Sequence, residues 1–81
     1  MIRILIFTSR TCGPCKKIKP EIKEWCKETG VVWDELDVEV NSDVARLNMV
    51  RSVPTIIVEK NGQEVDRVVG SDWKQIKKWS E

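Results

Sequence analysis

The apolar residues of this chain come in short blocks whose spacing changes along the sequence. A continuous apolar run predicts a buried strand over residues 3–8, and a short polar loop follows it. From residue 12 to about residue 28, the apolar positions fall on one face of a helix: Ile18, Ile22, Trp25 and Cys26. Pro20 is expected to kink this helix, and Thr29-Gly30 supplies its C-terminal stop.

The middle of the chain predicts a second strand and a short second helix. Residues 31–38 are rich in valine and predict the strand. Asn41 and Ser42 are residue types that cap helix N-termini well. A short helix is expected after them that carries Val44 and Leu47, with Val50 as a further candidate.

The last third of the chain predicts a hairpin and a closing helix. Residues 55–59 and 64–69 predict strands, and Asn61-Gly62 between them is a strong signal for a two-residue turn. Gly70-Ser71-Asp72 is expected to end the fourth strand and cap a last helix. The apolar residues of that helix are Trp73, Ile76 and Trp79.

The order of these elements predicts an α/β fold in a single domain over residues 1–81. The first strand-helix-strand unit requires a crossover and should give parallel strands, whereas the hairpin adds antiparallel ones. We therefore expect a four-stranded mixed sheet of order βαβαββα along the chain. Its three helices are expected to cover both faces of the sheet.

Composition and charge exclude several classes of function. The 81 residues include 14 basic and 13 acidic ones, and a net charge of +1 gives no electrostatic case for binding nucleic acid or a membrane. The first apolar run is too short for a signal-peptide core, and no stretch approaches the roughly 20 apolar residues of a membrane span. The expected compartment is the cytoplasm, where an odd cysteine count argues against a disulfide scaffold.

The four residues Cys12-Gly13-Pro14-Cys15 stand where the first strand gives way to the first helix. A helix N-terminus has unsatisfied N–H groups and a positive dipole end, and both favour a thiolate over a thiol. Cys12 is therefore expected to be the nucleophile and Cys15 the thiol that resolves a mixed disulfide. The alternative is a metal site, but zinc usually takes four ligands and the chain offers one further Cys and no His.

With this motif at the strand-to-helix junction, the chain resembles the thioredoxin-like superfamily over nearly its whole length. The family's Cys-Gly-Pro-Cys is unaltered, and Val53-Pro54-Thr55 matches the setting of the family's cis-proline. Pro20 matches its helix proline, and Gly70 matches the glycine after the fourth strand. The hairpin Lys60-Asn61-Gly62 is also similar to that of thioredoxins.

Several positions depart from the thioredoxin pattern and point towards a small thioredoxin on a glutaredoxin-sized frame. A typical thioredoxin has an additional N-terminal strand and helix, and a Trp where this chain has Thr11. The lead-in Ser9-Arg10-Thr11-Cys12 and the loop Gly70-Ser71-Asp72 resemble those of glutaredoxins. The family's buried Asp falls on Ile6, and its Lys partner falls on Glu35.

The resemblance implies a thiol-disulfide oxidoreductase that reduces protein disulfides. It implies catalytic roles for Cys12 and Cys15, and it places a cis Pro54 against their sulfurs. The main chain of Val53 would pair with an extended substrate. The substrate-binding residues that it implies are Gly13, Pro14, Val53, Pro54 and Gly70.

The expected partners are disulfide-containing proteins and a thioredoxin-reductase-like flavoprotein, and the expected state is a monomer without a cofactor or metal. A glutathione-dependent, glutaredoxin-like reductase is the alternative within enzymes. A non-catalytic metal-binding module is the alternative in another class, and activity in a dithiothreitol-driven assay would distinguish the enzyme from it.

Other candidate residues have simpler interpretations. Cys26 lies on the apolar helix face and is expected to pack in the core. Glu35 is expected to be a solvated strand residue, although a partly buried carboxylate there could relay protons to Cys15. Arg10, Lys16 and Lys17 form a basic rim that is expected to be solvated and that would suit an acidic partner face or the carboxylates of glutathione.

Overall fold

Seven elements form where the apolar blocks of the sequence predict them, in a computed structural model that describes residues 1–79. In chain order they are β1 (Ile2–Thr8), α1 (Gly13–Thr29), β2 (Val32–Asp37), α2 (Ser42–Leu47), β3 (Thr55–Lys60), β4 (Gln63–Val69) and a C-terminal 3₁₀ helix (Trp73–Trp79). The sheet order is β2-β1-β3-β4, with β1 parallel to β2 and the other two pairs antiparallel. The predicted mixed sheet with three helices is confirmed.

The sheet separates two apolar cores, because successive side chains of a strand point to opposite faces. One core joins the sheet to α1 and the 3₁₀ helix, and its largest fully buried members include Ile4, Ile6, Ile18, Ile22, Ile56 and Ile76. The other core joins the sheet to α2 through Phe7, Ala45 and Ile57. The central strands β1 and β3 are buried on both faces, which explains their continuous apolar runs.

The predicted chain reversals form at residues with positive φ. Gly30 ends α1 at a φ of 78°, and its N–H donates a hydrogen bond of 2.8 Å to the carbonyl of Cys26. Asn61 and Gly62 have φ values of 53° and 85°, which match the two-residue turn predicted between β3 and β4. None of the helices formed by residues 1–79 combines the length and apolar character needed to cross a bilayer.

The short helix α2 forms where it is predicted, but it ends at Leu47, before Val50. Leu47 is 83% exposed and Val44 is 38% exposed, whereas the small residue Ala45 is the one that α2 buries. A helix of six residues contacts the sheet with little more than one turn, so its apolar spacing does not decide which side chain packs. The side chain of Asn41 also makes no capping bond but donates to the carbonyl of Asp37 at 3.2 Å.

The last helix forms where it is predicted but winds as a 3₁₀ helix. Its apolar residues are three positions apart, and a helix with three residues per turn brings such positions onto one face. Trp73 and Ile76 are accordingly buried, and Trp79 packs partly against the same core. In α1, helical residues continue through Pro20 without a break.

Candidate active site

Cys12 and Cys15 stand at the N-terminus of α1 and are joined by a disulfide, with their Cα atoms 5.3 Å apart. Cys12 is the N-cap residue, and its Sγ accepts a hydrogen bond of 3.2 Å from the backbone N–H of Cys15. Gly13 and Pro14 complete the first turn, where a proline's missing N–H costs no helical hydrogen bond. The helix start thus directs an N–H group at the sulfur of Cys12.

The two cysteines differ in how far solvent reaches them. Cys12 is 8% exposed and Cys15 is 1% exposed in the disulfide form. A substrate sulfur can therefore approach Cys12 more readily than Cys15. This difference agrees in direction with the nucleophilic role that the sequence predicts for Cys12.

Pro54 and Gly70 lie at the same edge of the sheet as the cysteine loop. The register pairs Phe7 with Thr55, so the residue before β3 lies level with the end of β1. The Val53-Pro54 peptide is cis, as the resemblance implies, and Pro54 is buried. Gly70 donates its N–H to the carbonyl of Pro54 at 2.8 Å and has a φ of 105°, a conformation that favours glycine.

A groove next to this edge was not predicted from the sequence. It has a volume of about 230 Å³ and is lined by Ser9, Val38, Val50, Arg51, Ser52 and Val53. Val38 reaches it because its N–H donates to the carbonyl of Thr8 at 2.9 Å, which continues the pairing of β2 with β1. The sequence signal that could have identified this groove is Val38, an apolar residue that directly follows a strand ending at the site.

Glu35 is an exposed residue of β2, as predicted, and its carboxylate is also bound by neighbouring side chains. Register pairs it with Ile6, so the two positions that depart from the family's Asp and Lys are neighbours across β1 and β2. Its carboxylate accepts a 2.7 Å ion-pair hydrogen bond from Lys19 and lies 3.9 Å from the ammonium of Lys23. Thr8 donates its hydroxyl to the same carboxylate at 3.4 Å, and the Glu35 side chain is 31% exposed.

Cys26 is a free thiol that is 2% exposed within the core under α1, which confirms the packing role predicted for it. Burial raises the pKa of Cys26 to about 11, because removing the thiolate from water disfavours its charge. Trp25 and Trp73 pack nearby with ring centroids 6.0 Å apart. Among residues 1–79, no cluster of three or more His, Cys, Asp or Glu side chains could hold a metal ion.

A family model described as thioredoxin matches residues 2–81 of this chain. The chain is 41% identical over 75 residues to thioredoxin-2 of Saccharomyces cerevisiae, covering 91% of this chain and 72% of the yeast protein. It is 36% identical over 76 residues to thioredoxin H2-1 of Oryza sativa, covering 93% of this chain but 55% of the rice protein. The chain thus spans little more than half of the rice relative.

The fold agrees with solved thioredoxins. Superposition on thioredoxin NaTrxh from Nicotiana alata gives a TM-score of 0.89 at 36% identity, covering 99% of this chain and 74% of that one. The thioredoxin from Plasmodium falciparum gives a TM-score of 0.89 at 34% identity, with 99% and 82% coverage. Together with the cysteine pair, these matches place the fold and the candidate site in the thioredoxin class. The chain belongs to the thioredoxin family.

Proposed function

We propose that this chain reduces disulfides in other proteins through the dithiol of Cys12 and Cys15. The observation that carries the proposal is the placement of the pair. Both cysteines lie at one helix N-terminus, close enough to form a disulfide, with a backbone N–H directed at the sulfur of the more exposed one. That geometry stabilises a thiolate at Cys12 and lets Cys15 close the reaction.

The exchange proceeds in two balanced steps. The Cys12 thiolate attacks one sulfur of the substrate disulfide, forms a mixed disulfide and releases the other substrate sulfur as a thiolate that takes up a proton. Cys15, once deprotonated, attacks the sulfur of Cys12 and releases the second substrate thiol. Two electrons pass to the substrate, and the chain is left with the Cys12–Cys15 disulfide.

The residues around the disulfide are proposed to hold the substrate segment. No main-chain hydrogen bond joins Val53 to another residue within the described range 1–79, so its N–H and carbonyl are available to an extended substrate. The hydrogen bond from Gly70 to Pro54 fixes the neighbouring loop. Gly13 and Pro14 present no bulky side chain beside Cys12, which leaves space for a partner's backbone.

Reduction of a protein disulfide tests this proposal directly. Insulin is incubated with dithiothreitol and catalytic amounts of the chain, and precipitation of the freed insulin chain is followed as turbidity. We expect acceleration by the wild type and by the Cys26→Ala control, and none by Cys12→Ser. A Cys12→Ser variant as active as the wild type would contradict the proposal.

The proposed electron donor is a thioredoxin-reductase-like flavoprotein. A glutaredoxin-like use of glutathione is the second candidate, and one observation favours it. Ser71 and Asp72 line a cavity of about 280 Å³ together with Lys17 and Lys74, so both charge types that a zwitterionic peptide needs are present. Comparing reduction of the oxidised chain by glutathione and by thioredoxin reductase with NADPH decides between them.

The proposed setting is the cytoplasm, with the chain acting as a monomer. The unpaired thiol of Cys26 supports a reducing compartment, since it has no disulfide partner within the described residues. Light scattering of the purified chain at several concentrations tests the monomer, and cell fractionation tests the compartment.

A further inference from the structure

Five basic residues stand in the segments that flank the disulfide or line cavities next to those segments, and we name them the basic collar: Arg10, Lys16, Lys17, Arg51 and Lys74. We propose that the collar selects partner polypeptides that carry acidic residues beside their disulfide. This inference rests on the proposed function and specifies the substrates of that same site. All five side chains belong to exposed residues.

The collar residues come from separate parts of the chain, and each either lies next to the cysteine pair in sequence or lines a cavity together with a residue that does. Arg10 lies in the loop that leads into Cys12, and Lys16 and Lys17 directly follow Cys15. Arg51 lines the groove next to the loop of Pro54. Lys74 lines the cavity between α1 and the 3₁₀ helix, together with Lys17.

None of the collar side chains forms an ion pair within residues 1–79. The ion pairs described there use other cations, namely Arg3, Lys19, Lys23, Arg67 and Lys78. Two carboxylates, those of Glu21 and Asp72, line the cavity of Lys74 and accept hydrogen bonds from Trp73 Nε1 at 2.9 Å and Gln75 Nε2 at 2.8 Å. The whole chain carries a net charge of +1, so the exposed cations of the collar are not part of a general positive excess.

The first turn of α1 gives a second reason to connect Lys16 and Lys17 with an acidic partner. A helix N-terminus favours acidic residues, yet the first turn of α1 contains none, and lysines stand at positions 16 and 17. Helix stability therefore does not account for these lysines. A partner's carboxylates approaching the disulfide would be attracted by both the collar and the helix dipole.

The expected consequence is faster encounter with acidic substrates rather than faster chemistry. Complementary charges raise association rates by about 10- to 1,000-fold at low ionic strength, and salt reduces the effect. Lys16 and Lys17 directly follow Cys15 in the chain, and their charges would favour the thiolate for every substrate. A small uncharged disulfide separates the two effects, because it reports on the chemistry alone.

The test compares two disulfide-bonded peptides that differ only in carrying glutamates or lysines beside the cysteines, with bis(2-hydroxyethyl) disulfide as the neutral substrate. The reduced full chain is compared with Arg51→Gln/Lys74→Gln in the collar. The matched control is Arg3→Gln/Lys27→Gln, which removes two positive charges near the opposite end of β1 and α1.

For the wild type at low salt we expect kcat/KM for the acidic peptide to exceed that for the basic peptide by about tenfold or more. The collar variant and added salt should each reduce this ratio severalfold, while the control variant and the neutral substrate remain unchanged. Equal rates for the two peptides, or a ratio lowered as much by the control variant as by the collar variant, would overturn the inference alone. Failure to reduce any of the three disulfides would instead overturn the proposed function, and the inference with it.

Discussion

The ammonium of Lys19 lies 2.7 Å from the carboxylate of Glu35, one helical turn beyond Cys15. The pair joins α1 to the edge strand β2. Lys23 makes a second contact between the same two elements, because its ammonium approaches the Glu35 carboxylate and lies 5.1 Å from the ring centre of Trp33. A partly exposed pair of this kind stabilises the fold only modestly. Because the pair lies one helical turn beyond Cys15, a proton-relay role for the Glu35 carboxylate can be tested directly.

Glu35→Gln should lower the free energy of unfolding by less than about 1 kcal/mol, because the pair is partly solvated. The loss should shrink at high salt, where the attraction is screened. Urea denaturation at two salt concentrations measures this. We expect disulfide turnover to be unchanged, and slower closure of the mixed disulfide in this variant would establish the relay instead.

The buried thiol of Cys26 makes the free energy of unfolding depend on pH in the alkaline range. Burial raises the pKa of Cys26 to about 11, so the unfolded chain loses that proton at lower pH than the folded chain does. The contribution is present below about pH 9 and is lost as the pH rises towards 11. Its size is on the order of 2 kcal/mol.

Denaturation of the oxidised protein between pH 8 and about 11 checks this prediction, because the disulfide keeps Cys12 and Cys15 from titrating. Cys26→Ala is the control, since it removes the thiol and should show a shallower decline at high pH. It should also retain reductase activity and lose about 1 kcal/mol of stability. Equal slopes for the two proteins would show that Cys26 is not protected in the fold.

Arg67 connects β4 to the end of α2. Its guanidinium donates two hydrogen bonds of 2.8 Å to Glu64 and one of 2.8 Å to the carbonyl of Asn48. Arg67→Lys should cost about 1 kcal/mol, because an ammonium cannot reproduce this forked geometry. Thermal unfolding measures the loss.

The same contact has a consequence at acid pH. Hydrogen bonding from Arg67 lowers the pKa of Glu64, so this contribution is present above the carboxyl's ordinary pKa and is lost as the pH falls through the lowered value. Arg67→Lys should reduce that loss, and Glu64→Gln should remove it. If the free energy of unfolding falls equally at acid pH in the wild type and in Glu64→Gln, this contact is not the source of the loss.

The strands, the turn and the cysteine pair were predictable from the sequence because local chemistry decides them. Doubly buried strands give continuous apolar runs, Asn61-Gly62 favours positive φ, and Cys12 with Cys15 has few alternative uses at a helix start. These signals act within a few residues, so neighbouring sequence is enough to show them.

Features set by contacts between distant segments were not predictable. The helix α2 buries Ala45 with Phe7 and Ile57 and leaves Leu47 exposed, which depends on how the helix lies on the sheet. Glu35 is held by Lys19 across a helix-sheet contact that spacing alone does not show. The groove beside Pro54 likewise collects residues from three segments of the chain.

The central claim is that Cys12 attacks and Cys15 resolves, and trapping the mixed disulfide tests it most directly. Cys12→Ser and Cys15→Ser, each combined with Cys26→Ala, are incubated with a disulfide-containing protein, and intact masses are read without reductant. We predict that Cys15→Ser accumulates an adduct on Cys12 that dithiothreitol releases, whereas Cys12→Ser forms none. Adducts forming on Cys15 of the Cys12→Ser variant at an equal rate, or turnover retained by Cys15→Ser with glutathione present, would contradict the account.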